Sequence, residues 1–195
     1  VVDSGLDFSH PDLAGNVWGN PGEIAGNGLD DDGNGYIDDV RGWDFVSEDN
    51  APLANDSSGH GTHVAGTIGA TGGTTTGMTG VSWQVRIMTL RTLNGYGAGD
   101  TADAILAFEY ATMMGADIIN CSWGGSGYSQ ALKDAIDATP ALVVCAAGNS
   151  AADADTDPHY PAAYDSVNIV SVAATDSDDS LAPFSNFGSG SVDLG

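Results

Sequence analysis

The sequence predicts an α/β fold in which a parallel β-sheet carries helices on both faces. Between residues 83 and 147 the chain alternates strand, helix, strand, helix and strand, an order typical of parallel strands joined by right-handed crossovers. Hydrophobic residues make up 42% of the 195 residues, which is enough for a substantial core. Because no internal repeat or linker interrupts the chain, we expect residues 1–195 to form a single domain.

Short apolar runs that end at glycine or polar residues predict the strands. In chain order these strands cover residues 1–2, 42–46, 83–93, 117–123, 141–147 and 167–173. Helices are expected over residues 64–70, from a cap at Asp100 or Thr101 to about Met114, and over residues 129–138. Residues 71–80 are rich in glycine and threonine and predict a loop.

Acidic side chains dominate the charge of the chain. Asp and Glu number 27 against four Lys and Arg, which gives a formal net charge of −23. This charge repels nucleic acids and anionic membranes, so we expect neither as a partner. No apolar run in the sequence approaches the length that spans a bilayer. The same charge favours bound cations or a calcium-containing medium.

Two cysteines, Cys121 and Cys145, are too few for a disulfide framework. Both lie in apolar segments that are predicted to be strands. Two buried thiols are therefore favoured, and a bridge between them is the alternative.

An acidic segment over residues 27–39 has the pattern of a calcium-binding loop. Oxygen donors alternate along it, but the twelfth position is Arg41 and not a glutamate, so the loop is not an EF-hand and Asp38 or Asp39 must complete the shell. A solvated acidic loop is the alternative, although five aspartates within ten residues repel one another without a cation. The predicted calcium ligands are the side chains of Asp30, Asp32, Asn34 and Asp39 and the carbonyl of Tyr36.

Two histidines, His60 and His63, lie among small residues at a predicted helix start. Imidazole titrates near neutral pH and suits proton transfer, although a pair of structural histidines is the alternative. Asp3 and Asn149 each follow a predicted buried strand, so both can lie with His60 at the carboxyl edge of one sheet. There an aspartate can orient a histidine, and an asparagine amide can donate to an oxyanion.

Three short motifs contain these residues: Val1-Val2-Asp3-Ser4-Gly5, His60-Gly61-Thr62-His63-Val64-Ala65-Gly66 and Ala146-Ala147-Gly148-Asn149. Together they resemble motifs of the subtilisin-like serine peptidases, and the resemblance extends over essentially the whole chain. It implies a subtilisin-like fold in which Asp3 orients His60, His60 is general base and then general acid, and Asn149 stabilises the oxyanion. It also implies that His63 is a buried structural histidine. The acidic loop resembles a calcium loop of secreted members, so we expect an extracellular location.

The resemblance further implies an extended polypeptide as substrate. Gly97-Ala98-Gly99 and Ser122-Trp123-Gly124 match the two backbone segments between which the family holds a peptide by β-augmentation. Ala146-Ala147-Gly148 would border the pocket for the residue before the scissile bond. For Trp123, a place in the core is an equal alternative.

One departure from the family pattern concerns the nucleophile. The family carries its serine in a Gly-Thr-Ser-Met-Ala type of helix start, and this sequence contains no such stretch. We therefore expect an internal fragment, incomplete at both ends and inactive alone, with exposed apolar surface that favours self-association. A non-catalytic calcium-binding scaffold or adhesion-type module is the alternative function.

Overall fold

The structure is a computed structural model that describes residues 1–72 and 79–195. Residues 73–78, which form most of the loop predicted over residues 71–80, lie outside the described residues. The chain divides into two compact units, residues 1–103 and residues 104–195. Each unit contains a set of parallel strands, so the predicted α/β class is confirmed.

In its described residues, the first unit holds three parallel strands in the order β2-β3-β1. In this register Val2 pairs with Leu90, and Asp3 pairs with Arg91. The elements of this unit are β1 (Val2–Asp3), a 3-10 turn (Ala14–Asn16), β2 (Gly42–Asp44), α1 (His60–Gly69) and β3 (Thr89–Arg91).

The second unit holds three parallel strands in the order β4-β5-β6. Its elements are α2 (Thr101–Met113), which begins just before the boundary, β4 (Ile118–Cys121), α3 (Gln130–Ala138), β5 (Leu142–Ala146) and β6 (Ile169–Val172). The side chain of Ser129 caps α3 by accepting a hydrogen bond from the N–H of Leu132 at 3.3 Å. Within the described ranges, no helix combines the length and apolar character needed to cross a membrane.

Two predicted strands are wrong in their extent. The strand expected over residues 83–93 covers only Thr89–Arg91, because Ile87 bonds instead to the backbone of Asn16 and Trp18. The strand expected over residues 42–46 ends at Asp44, whose carboxylate accepts the N–H groups of Val46 and Ser47. These bonds turn the chain out of the sheet.

Small residues let α1 pack closely in the first unit. Ala65 and Ala70 are buried with Leu6, Leu13 and Ile87 in one apolar cluster. Burial of each large aliphatic side chain in such a cluster contributes about 1.5–3 kcal/mol.

In the second unit, Cys121 and Cys145 lie opposite each other on β4 and β5. Both are buried and neither is in a disulfide, so the prediction of two buried thiols is confirmed. Their register places two small apolar side chains side by side in the core of this unit.

Candidate active site

A carboxylate and an imidazole meet where β1 ends and α1 begins. Nδ1 of His60 lies 2.7 Å from Oδ1 of Asp3, which also accepts the N–H of Ser4 at 2.7 Å. The Asp3 side chain is 1% exposed, whereas that of His60 is 46% exposed. Because a carboxylate only accepts hydrogen bonds, this contact places a proton on Nδ1 and leaves Nε2 of a neutral ring free to take another.

Asp56 holds the start of α1 in place. Its carboxylate accepts the backbone N–H of His60 at 2.8 Å and the hydroxyl of Ser4 at 2.8 Å, and it also bonds the hydroxyl of Ser58. The hydroxyl oxygen of Ser4 in turn accepts the N–H of Gly61 at 3.0 Å. The residue after Asp3 and the residue after His60 are therefore joined through one hydroxyl.

Hydrogen bonding sets the charge state of this Asp56 carboxylate. Partial burial raises its pKa, but the hydroxyl of Ser58, the N–H of His60 and the hydroxyl of Ser4 outweigh burial and lower the pKa to about 2. Asp56 is thus ionised over the whole range in which a histidine titrates, and its negative charge lies at the N-terminus of α1.

Gly61 is required by its surroundings. A Cβ atom at this position would lie 2.3 Å from the carbonyl oxygen of Gly5, which is closer than real Cβ atoms approach. The glycine after His60 therefore lets α1 approach the turn that follows β1, and this approach brings the imidazole to Asp3.

The predicted burial of His63 is wrong. His63 is exposed, as are His60 and Thr67, while Gly61, Ala65 and other small residues face inward. Residues three and seven positions after an exposed helical residue share its face, so the helical period already places His63 outside.

In the second unit, Asn149 follows β5 and is exposed. A cavity of about 260 Å³ lies beside it and is lined by Asn120, Ser122, residues 144–149 and residues 172–174. Five residues predicted to act in catalysis or substrate binding therefore share one cavity: Ser122, Ala146, Ala147, Gly148 and Asn149.

A histidine that the sequence analysis missed lies beside two of the predicted substrate-binding glycines. A Cβ atom on Gly124 would lie 2.5 Å from Nε2 of His159, and one on Gly148 would lie 3.1 Å from its Cδ2. Burial lowers the pKa of His159, and the nearby charge of Asp157 only partly opposes this. No local motif marks His159, because both glycines are distant in sequence.

The predicted peptide-binding segment at Gly97-Ala98-Gly99 belongs to a tight turn in the first unit. The side chain of Asn94 accepts the N–H groups of Tyr96 and Ala98, and Leu93 forms an antiparallel bridge with Gly99. All three predicted residues are exposed. The other predicted peptide segment, Ser122-Trp123-Gly124, lies in the second unit, where Trp123 is partly buried.

The acidic loop brings two of the predicted metal ligands together and adds another. One carboxylate oxygen from each of Glu23, Asp32 and Asp39 lies within 4.8 Å of the others. Asn34, a predicted ligand through its oxygen, instead donates from its side-chain nitrogen to Asp39 at 2.8 Å, and its amide oxygen accepts the N–H of Tyr36 at 2.7 Å. Glu23 was missed because it lies outside the repeating Asp/Asn pattern.

Asp30 and the ring of Tyr36 have contacts within the loop and with Trp43, while the Asp30 carboxylate and the Tyr36 carbonyl as calcium ligands stay predictions. The carboxylate of Asp30 accepts the N–H groups of Gly33, Asn34 and Gly35 and stabilises the turn. The ring of Tyr36 packs edge-on against Trp43, with ring centroids 5.0 Å apart.

Comparison with known proteins agrees with this architecture. The crystal structure of a cold adapted subtilisin-like serine proteinase superposes with a TM-score of 0.74 at 31% identity, covering 99% of this chain and 59% of that one. The α/β fold is therefore subtilisin-like, as the sequence predicted. Thermitase from Thermoactinomyces vulgaris is 34% identical over 192 residues, which are 97% of this chain and 58% of thermitase. Subtilisin DY from Bacillus licheniformis is 37% identical over 192 residues, which are 96% of this chain and 60% of that protein.

A sequence profile of the Subtilase family matches residues 1–194. The chain belongs to the Subtilase family. It spans about three fifths of the length of thermitase and of subtilisin DY.

Proposed function

We propose that this chain is part of the single catalytic domain of a secreted serine endopeptidase. The observation that carries the proposal is the 2.7 Å contact between a buried Asp3 carboxylate and a half-exposed His60 imidazole. An exposed base with a buried, oriented partner suits proton transfer to and from a bound substrate. Extended polypeptides are the proposed substrates.

In the proposed reaction, Nε2 of His60 accepts the proton of a serine hydroxyl as that oxygen attacks a peptide carbonyl. The same nitrogen then gives the proton to the leaving amine, while Asp3 stabilises the charged ring. The side-chain amide of Asn149 donates to the oxyanion of the tetrahedral intermediate. We place the serine in a segment outside these 195 residues, since the sequence lacks the family's serine motif.

As the family resemblance implies, the proposed backbone contacts for the substrate are Gly97-Ala98-Gly99 in the first unit and Ser122-Trp123-Gly124 in the second. β-Augmentation of this kind uses main-chain hydrogen bonds and therefore accepts many sequences. The residue before the scissile bond would enter the cavity bordered by Ala146-Ala147-Gly148. His159 would form part of that pocket's wall, beside Gly124 and Gly148.

The proposal is tested by labelling with a fluorophosphonate probe and by casein hydrolysis. We expect no labelling of the 195-residue chain, and labelling plus hydrolysis once the parent gene's downstream segment is included. In that longer protein His60→Ala should abolish hydrolysis, whereas the matched control His63→Ala, on the same exposed helix face, should retain it. Labelling of a serine within residues 1–195, or a parent gene without a downstream Gly-Thr-Ser motif, would contradict the proposal and favour a non-catalytic scaffold.

We also propose a calcium ion at the carboxylates of Glu23, Asp32 and Asp39. These oxygens are close enough to share one cation, and three adjacent negative charges repel one another without it. A calcium ion would neutralise this group and fix the acidic loop. Asp39 is fully buried, and its carboxylate accepts the side-chain amides of Asn20 and Asn34 at 2.8 Å each, so it is held in place within the group.

Calcium binding is tested by thermal melting with and without a chelator. The chelator should lower the melting temperature of the wild-type chain, because an ion bound only by the folded state stabilises it by mass action. Asp39→Asn should remove most of this response. Asp31→Asn, which changes a neighbouring carboxylate outside the group, should keep it. An unchanged wild-type melting temperature would exclude the site.

Self-association through exposed apolar side chains is a further part of the proposal. Val167 is fully exposed, and Ile118 and Leu142, which face each other across β4 and β5, are 60% and 41% exposed. Sedimentation velocity over a range of concentrations should show reversible oligomers. A monomer at all concentrations would contradict this expectation.

A further inference from the structure

Asn186 bonds to the chain on both sides of Asn149. Its Oδ1 accepts the N–H of Ser150 at 2.8 Å and of Ala152 at 3.2 Å. Its Nδ2 donates to the carbonyl of Ala147 at 3.0 Å, and its backbone N–H donates to the carbonyl of Gly148 at 2.9 Å. One buried residue therefore holds the two residues before Asn149 and the one directly after it.

Asn186 also packs closely against the backbone of residues 147–150, the Asn149 turn. Gly148 has a φ of +117°, and a Cβ atom there would lie 2.4 Å from Nδ2 of Asn186. Gly148 thus adopts a backbone conformation that other residues rarely adopt, and its lack of a Cβ atom lets the amide of Asn186 approach closely.

Asn186 is itself fixed in position. It is 2% exposed, and its carbonyl accepts the hydroxyl of Ser185 at 2.9 Å. The same hydroxyl oxygen accepts the N–H of Ala174, just after β6, at 2.8 Å. A chain of hydrogen bonds therefore runs from the end of β6 through Ser185 and Asn186 to the Asn149 turn.

We propose that Asn186 is a positioning residue that sets the orientation of the Asn149 amide. This inference rests on the proposed function, in which that amide donates to an oxyanion. Asn149 is exposed, so the side chain needs a rigid backbone beneath it to be pre-oriented, and Asn186 supplies that rigidity. An asparagine suits the role because one side chain provides both the acceptor for Ser150 and Ala152 and the donor for Ala147.

The test compares Asn186→Ala with the matched control Asn168→Ala in the 195-residue chain. Asn168 lies in the same unit and donates from its side chain to the carbonyls of Ile136, Thr139 and Ala141. Both variants therefore lose several side-chain amide hydrogen bonds, but only one loses bonds beside Asn149. Readouts are amide hydrogen exchange at Ser150 and the NMR signal and relaxation of the Asn149 side-chain amide.

We expect Asn186→Ala to speed exchange at Ser150 by about tenfold or more and to shift the Asn149 side-chain signal. Asn168→Ala should lower the melting temperature and leave both readouts unchanged. Asn186→Asp keeps an acceptor for Ser150 and loses the donor to the carbonyl of Ala147, so it should restore most of the protection at Ser150 and still shift the Asn149 side-chain signal. If Asn186→Ala fails to fold, this shift is the test, and its absence would overturn the inference.

Unchanged exchange at Ser150 and an unchanged Asn149 signal in Asn186→Ala would overturn the inference. Equal changes in the Asn168→Ala control would also overturn it, because they would show a general loss of stability. None of these readouts requires catalysis. Failure of the positioning role is therefore distinguishable from failure of the proposed peptidase function, which the His60→Ala comparison detects.

Discussion

Asp56→Asn tests how much the negative charge of Asp56, at the start of α1, contributes to stability. The asparagine keeps the size of the side chain and one acceptor oxygen. It removes the negative charge of the carboxylate that accepts the N–H of His60 and the hydroxyls of Ser4 and Ser58. Lowering the pKa of Asp56 from 3.8 to about 2 corresponds to roughly 2.5 kcal/mol of folding free energy, at about 1.4 kcal/mol per pKa unit. Because this carboxylate is partly exposed and screened by solvent, we expect Asp56→Asn to lower the free energy of unfolding by about 1 kcal/mol. For a chain of this size, that is a fall of about 3 °C in melting temperature.

The sign of the pH dependence follows from the lowered pKa of Asp56. The folded state binds this proton less readily than the unfolded state, so the stabilisation is fully present above about pH 5 and disappears as pH falls toward 2. Urea unfolding at pH 6 and at pH 3 should therefore show a deficit for Asp56→Asn that shrinks in acid. Asp117→Asn, which changes an exposed carboxylate, is the control. A deficit of equal size at both pH values, or none at pH 6, would refute the electrostatic explanation.

Three other changes have clear expected outcomes. Gly61→Ala should destabilise the chain by about 2 kcal/mol or more, because the new Cβ atom would lie 2.3 Å from the carbonyl oxygen of Gly5. The control Gly59→Ala has no atom within 4 Å of its Cβ and should lose only about 1 kcal/mol, because of its positive φ. Equal losses of stability in urea unfolding would contradict the steric argument. In an NMR titration, His159 should titrate below the ordinary value of 6.5, since burial lowers its pKa, and a midpoint above 6.5 would exclude burial as the dominant effect. Ser129→Ala should cost about 1 kcal/mol in urea unfolding through loss of the α3 cap, and an unchanged midpoint would show that the cap is replaced by water.

Local sequence signals predicted the elements of the fold well. Apolar side chains at Leu132, Ala135 and Ile136, on one face of the predicted helix, gave α3, and apolar runs bounded by glycine or polar residues gave β4 and β5. The error at residues 83–93 has a long-range cause. Ile87 has the apolar character of a strand residue, but its backbone pairs with residues 16–18, which no local pattern reveals.

At the candidate site, the sequence identified the residues with a chemical signature and missed those that support them. Asp3 and His60 belong to a recognisable motif, and the structure brings them together. Asp56 and Asn186 have no such motif, because their importance lies in contacts with backbone groups that only the folded chain brings near. Glu23 approaches Asp32 and Asp39 for the same reason.

The placement of β1 has a consequence for the order of folding. This strand has two residues, and its register is fixed by β3, with the backbone nitrogen of Val1 bonded to the carbonyl of Met88 across 87 positions. The contact between Asp3 and His60 closes a further loop of 57 positions. Pairings of such long range form slowly, because the chain loses entropy before the contacts stabilise it. We therefore expect the carboxylate and imidazole to meet late in folding, so that a newly made chain gains the contact between Asp3 and His60 only once the surrounding unit is complete.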